Sequence, residues 1–152
     1  MHKDKKIFTG SDHAGFDLKE KIKGYLSNEG IDFEDMGAPD INPADDYPDY
    51  AAIVAKKVAE NNGAGILVCS SGTGMCITAN KIKGIRAVNA FNAEIAEMSR
   101  IHNDTNVLCL GQDYIPEGLA IQIVRKWLET DFSGVERHQR RVDKIAEYEN
   151  QS

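Results

Sequence analysis

Ile66 to Lys81 reads ILVCSSGTGMCITANK, and this stretch decides the fold. Four apolar residues ending at Cys69 have the length and character of a short buried strand. Ser70, Ser71, Gly72, Thr73 and Gly74 follow as a small, flexible loop, and Met75 to Lys81 reads as the start of a helix. A loop between strand and helix turns backbone N–H groups outward at the positive end of the helix dipole, which suits an anion. A thiol at the head of such a loop is expected to be pushed toward its reactive thiolate form. No Lys-Ser or Lys-Thr pair closes the loop, and Gly72 and Gly74 are followed by Ala79-Asn80 rather than a third glycine. It is therefore neither a P-loop nor a dinucleotide fingerprint.

Outward from this unit, apolar runs and helical patterns alternate. Lys6–Ser11 reads as a strand, Phe16–Leu26 as a helix closed by Asn28-Glu29-Gly30, and Ile31–Met36 as a strand nearer an edge. Gly37–Pro48, with three prolines among aspartates, reads as a long loop of the kind that often carries function. Tyr50–Asn61 is a predicted helix. Beyond the opening stretch, Ile85–Ala90 is a predicted strand, Ala93–His102 a helix, Asn106–Leu110 a strand and Gly118–Thr130 a helix. Val135–Tyr148 is strongly charged, with apolar residues only at Val142, Ile145 and Ala146. Such a helix is either solvated or packs on a partner. Strands alternating with helices imply a parallel sheet covered on both faces, in a single domain over residues 1–152. Ligands in such α/β sheets bind beyond the carboxyl ends of the strands, at the topological switch point. Ser11-Asp12-His13, Cys69–Gly74 and the His102 region are the polar clusters expected there.

With 41% hydrophobic and 28% charged residues, the chain has a globular rather than a disordered composition. Its net charge of −6 argues against nucleic acid as a partner. No apolar run approaches the roughly 20 residues that span a bilayer, and no export signal is visible. Three cysteines without paired spacing point to free thiols in a reducing compartment, so a cytoplasmic location is expected.

Among the candidate residues, Cys76 and Cys109 sit inside apolar patterns and read as buried fillers. Cys69, with two serines and two glycines after it, is balanced between filler and catalyst. His13 and the run His102-Asn103-Asp104-Thr105-Asn106 read as a turn and a helix cap, or as site residues. His2 reads as part of a disordered terminus. None of the four histidines stands at metal-ligand spacing from another ligand, so neither metal nor cofactor is expected. Arg137 and Arg141, four apart, share a helix face that is either solvated or clamps a phosphate.

Taken together, SDHAG at 11–15, DYPDY at 46–50, the cysteine loop with its ANK, GIRA at 84–87, HNDTN at 102–106 and RHQRR at 137–141 resemble the ribose-5-phosphate isomerase B family. That family also includes galactose-6-phosphate isomerase subunits. The resemblance runs along nearly the whole chain. It implies a Rossmann-like three-layer sandwich with a five-stranded parallel sheet and a C-terminal helix packing on a partner subunit. The implied reaction interconverts ribose 5-phosphate and ribulose 5-phosphate through a cis-enediolate. A six-carbon sugar phosphate, or sugar-phosphate binding without catalysis, is the alternative. Carried onto this chain, the resemblance makes Cys69 the base, gives His102 ring opening and gives Ser71 proton movement between the oxygens. Amides of Ser70, Gly72, Thr73 and Gly74 would stabilise the enediolate, Asp12, His13, Tyr47 and Asn103 would hold the sugar, and Arg137 and Arg141 the phosphate. It also implies a homodimer with shared active sites that can pair into tetramers. Three positions depart from the family pattern. Ser70 stands where a glycine is common, Asp113 where many members carry arginine, and Val135-Glu136 where a glycine pair is common.

Overall fold

The computed structural model describes residues 1–151. Five strands form one sheet: β1 (Ile7–Ser11), β2 (Phe33–Asp35), β3 (Ala64–Cys69), β4 (Ala87–Asn89) and β5 (Val107–Gly111). They lie in the order β2-β1-β3-β5-β4, and every pairing is parallel. The registers Ser11↔Val68 and Cys69↔Gly111 bring the carboxyl ends of the three central strands level. The three-layer α/β sandwich expected from the sequence is what the chain forms.

Alternation along the strands sorts side chains to the two faces. Ile66 and Val68 of β3, with Leu108 and Leu110 of β5, join a core closed by α1 (Phe16–Asn28), α4 (Ala93–Asn103) and α5 (Glu117–Glu129). Leu67, Cys69, Val107 and Cys109 point the other way, under α2 (Tyr47–Asn61) and α3 (Thr73–Ala79). Both faces of β3 and β5 are buried, so these strands read as continuous apolar runs.

Several boundaries move for local reasons. α2 begins at Tyr47 rather than Tyr50, because a proline in the first helical turn loses no hydrogen bond and starts the helix. α3 begins at Thr73, directly after Gly72, whose φ of 80° is easy only for glycine. The C-terminal helix, α6 (Glu136–Glu149), was expected to pack on a second subunit. In the single chain its buried residues are His138 and Val142, and the His138 ring lies 4.6 Å from that of His102 on α4. Ile145 and Tyr148 remain exposed.

His2 corrects the expectation of a disordered terminus. It is buried, its ring lies 4.6 Å from Trp127, and its Nε2–H donates to the Thr105 carbonyl at 2.8 Å. Arg100 Nη1 donates to the same carbonyl at 2.6 Å, and Trp127 Nε1 donates to Thr105 Oγ1 at 2.9 Å. The ammonium of Met1 pairs with Asp131 at 3.0 Å.

Burial first, and then the charge of Arg100, lowers the His2 pKa from 6.5 to about 4. The unfolded chain therefore binds a proton at His2 more readily than the folded one between those values. The stability from neutral His2 is complete above pH 6.5 and is lost as pH falls toward 4. The loss approaches roughly 3 kcal/mol at 1.4 kcal/mol per unit. Thermal melts across this window should show a fall in the natural protein that is largely absent in His2→Phe, which keeps a ring against Trp127 but has no proton to gain.

Candidate active site

The chain switches direction between β1 and β3: β2 lies to one side of β1, and every later strand to the other. A crevice at the carboxyl ends of these two strands is the ligand position of such sheets. Out of β1, Asp12 Oδ1 accepts from the Gly15 N–H at 3.1 Å and closes a single turn of 3-10 helix over His13–Gly15. Gly15 packs directly on the end of β3, where a Cβ would collide with the Val68 carbonyl. Burial pushes the Asp12 carboxyl up from its ordinary value.

Out of β3, the loop turns back on its own cysteine. Cys69 is 5% exposed, and its Sγ accepts from the Gly72 N–H at 3.1 Å. The Thr73 N–H donates to Ser71 Oγ at 3.2 Å. Of the five loop amides, two thus serve the loop itself, while Ser70 and Ser71 have no acceptor for theirs among the described residues. Neighbouring elements fix the rest of the loop. Gln112 N–H donates to the Cys69 carbonyl at 2.9 Å, Asp113 N–H to the Ser70 carbonyl at 3.0 Å, and Asn89 Nδ2 to the Ser71 carbonyl at 3.2 Å. The Tyr47 ring lies against Gly74, so closely that a Cβ there would collide with it.

His13 faces the crevice and is held by Asp45, a residue to which sequence reading gave no role. Its Nδ1–H donates to Asp45 Oδ1 at 2.6 Å, and its backbone N–H reaches the same oxygen at 3.2 Å. That hydrogen bond raises the His13 pKa, with Asp12 adding to it. Asp12, His13 and Asp45 bring potential ligand atoms within 4.8 Å of one another, which chain spacing did not reveal. Of these groups, His13 Nδ1 is bonded to Asp45 Oδ1, and Asp12 Oδ1 to the Gly15 N–H.

Asp12, His13, Tyr47 and Ser70–Gly74 are therefore brought together. His102, Asn103, Arg137 and Arg141 are not. The His102 region was expected at the same edge of the sheet, but α4 runs back from the end of β4 and delivers its last turn to the start of β5. This puts His102 and Asn103 at the opposite edge, about 13 Å of strand away at ~3.3 Å per residue. α6 follows them through the contact between the His102 and His138 rings. Burial, then the charges of Arg137, His102 and Arg141, hold His138 below the usual histidine range. Arg137 and Arg141 are exposed and make no hydrogen bond or ion pair among the described residues.

Three residues with a part in this geometry were missed. Asp45 lies 32 residues from His13, and its only sequence signal was a run of aspartates in a loop. Asn89 ends β4, where a polar residue at a strand end was the available hint. Gln112 Oε1 accepts the Leu18 N–H at 2.8 Å and so ties the start of α1 to the end of β5. Asp113, one of the three departures from the family pattern, is exposed, and its N–H holds the loop through the Ser70 carbonyl.

The sequence pattern of the Ribose/Galactose Isomerase family matches residues 7–145. The chain is 44% identical over 146 residues to ribose-5-phosphate isomerase B of Escherichia coli, covering 95% of this chain and 97% of that one. The Clostridium thermocellum ribose-5-phosphate isomerase B structure superposes with a TM-score of 0.93 at 43% identity, covering 96% and 98% of the two chains. The Mycoplasma genitalium enzyme, solved with bound ribulose-5-phosphate, gives 0.93 at 40% identity, covering 97% of each.

Because Asn89 ties β4 to the loop through the Ser71 carbonyl and, at 3.4 Å, Thr73 Oγ1, its removal should loosen the cover over Cys69. Asn89→Ala is expected to be alkylated at Cys69 by iodoacetamide several-fold faster than the natural protein, read by peptide mass spectrometry. Equal rates would show that the loop holds without it.

Proposed function

The chain belongs to the ribose/galactose isomerase family, and on that premise we propose that it interconverts ribose 5-phosphate and ribulose 5-phosphate. The observation that carries the reading is the thiol at the end of β3, enclosed by a loop of backbone donors and flanked by Asp12, His13 and Tyr47. Aldose–ketose isomerisation needs one base to move a proton between adjacent carbons, and donors for the oxyanion that forms. Cys69, as thiolate, takes the C2 proton of the open-chain aldose and returns it to C1. Negative charge then develops on the enediolate oxygens, opposite the unspent N–H groups of Ser70 and Ser71, with Gly72, Thr73 and Gly74 shaping the pocket. Ser71 Oγ accepts from Thr73, which leaves its own proton available to pass between the two oxygens. Asp12, His13 and Tyr47 hold the sugar phosphate. No step calls for a metal.

His102 would open the furanose ring, Asn103 would bind the sugar, and Arg137 and Arg141 would receive the phosphate. Within one chain they stand at the far edge of the sheet, so the reading requires a second copy whose α4 and α6 complete the site. Two observations support a homodimer. β4 is an edge strand, open to pairing or cover. Phe91, Ile95 and Ile77, close to it in sequence or fold, are about half exposed, at 49%, 47% and 57%. Pairing of dimers into tetramers is compatible with this arrangement. No helix is long and apolar enough to cross a membrane among the described residues, and we place the enzyme in the cytoplasm.

Turnover of ribose 5-phosphate, followed by ketose formation with EDTA present, tests the activity. Cys69→Ala should lower kcat by about 10²–10⁴-fold, the usual worth of a general base, with the melting temperature little changed. Cys69→Ala and His102→Ala proteins, each inactive, should recover about a quarter of natural activity when unfolded and refolded together. Half of the dimers are then mixed, and each mixed dimer has one intact site of two. No recovery would place both residues in one subunit's site.

A further inference from the structure

Asp45 has no part in the reaction as drawn, yet its surroundings are unusual. Its side chain is 6% exposed, comes from the long loop before α2, and meets His13 across the crevice. One oxygen, Oδ1, takes both the ring Nδ1–H and the backbone N–H of His13. The other, Oδ2, is buried with no hydrogen-bond partner among the described residues. A carboxylate removed from water in this way is costly unless a cation neutralises it. The groups facing the pair are Asp12, which lies beside His13, and Tyr50 on α2, whose hydroxyl is pushed up by burial and then by the charge of Asp45. Asp12 sharpens the need for positive charge, the neutral Tyr50 hydroxyl faces the Asp45 carboxylate as a polar neighbour, and His13 is the basic group bonded to Asp45.

The His13 ring is tethered at Nδ1 only. Its side chain is 35% exposed, and Nε2 has no partner among the described residues. The charged side chains that act on His13 within the chain, Asp12 and Asp45, are both acidic and by themselves would repel a phosphate dianion. We propose that Asp45 is a positioning residue for the substrate phosphate, fixing the His13 ring and holding its positive charge so that Nε2–H is presented to the anion. The buried carboxylate thereby gives this subunit an oriented cationic donor of its own, beside the arginines that the second copy would bring. Charge-assisted hydrogen bonds of this kind are about twice as strong as neutral ones. The direction of the His13 pKa agrees: the bond to Asp45 raises it, so the imidazolium persists to higher pH than that of a free histidine.

The proposal rests on the isomerase reading only for the identity of the ligand, and its test has two arms. In the first, the His13 ring is titrated by NMR in the full-length natural protein and in Asp45→Asn, with no substrate present. The inflection should lie above the ordinary histidine range in the natural protein and fall in the variant; an ordinary value in both overturns the proposal whether or not the protein is an enzyme. In the second, KM and kcat for ribose 5-phosphate are measured against pH. At pH 8 the Asp45→Asn KM should rise on the order of tenfold, the worth of one charge-assisted bond, with a smaller change in kcat. The ratio of the two KM values cancels the substrate's own titration. It should approach one near about pH 5.5, a unit below the ordinary histidine pKa, where His13 is protonated in both proteins. In a His13→Gln background, Asp45→Asn should have no further effect on KM. A loss equal at all pH values, or one that persists without His13, would reduce Asp45 to a structural residue. If the natural protein gives no turnover, the isomerase reading fails while the NMR arm, extended by inorganic phosphate titration, still decides the pair.

Discussion

The geometry of this site depends on close backbone contact at the end of β3. Gly15 approaches the Val68 carbonyl from the β1 side, and Gly111 approaches Ser71 from the β5 side, where a Cβ would come within 2.6 Å of the Ser71 backbone. The strand end at Val68–Cys69 and the loop at Ser71 are thus each met by a chain segment that carries no side chain there. Between them the loop turns over its own sulfur, where the Gly72 N–H points. The arrangement of thiol and amides is thus a packing result before it is a chemical one. An alanine at Gly15 or Gly111 would alter the site without touching a reacting group.

What could be read from the chain divides by range. The strand–loop–helix at Ile66–Lys81 is local, and its apolar run, small residues and following helix signal are all written within 16 residues. The alternation of strands and helices is nearly as local, and it fixes a parallel sheet. Pro48 misled because proline ends a helix in its interior yet begins one in its first turn. His2 misled because its partners, Thr105 and Trp127, lie more than a hundred residues away. The same holds for Asp45, whose acidic loop gives no sign of which base it will meet.

The His102 cluster teaches a different lesson. Its residue types were identified, but its edge of the sheet was not, although topology settles this. A helix that follows one parallel strand and precedes the next must end where strands begin. The motif's polar character suggested the ligand edge, but the right-handed crossover dictates the other one. The shared site proposed above would use both edges of the same fold.

Met1 and His2 are held by an ion pair, a buried ring contact and a hydrogen bond, so the first residues act as a latch on the Thr105–Trp127 core rather than as a tail. A change at His2 would therefore be felt at Thr105 and Trp127, far away in sequence, as a loss of core packing. The last turn of α6 is tied down in its own way, since Glu149 accepts from the Gly84 N–H at 3.1 Å.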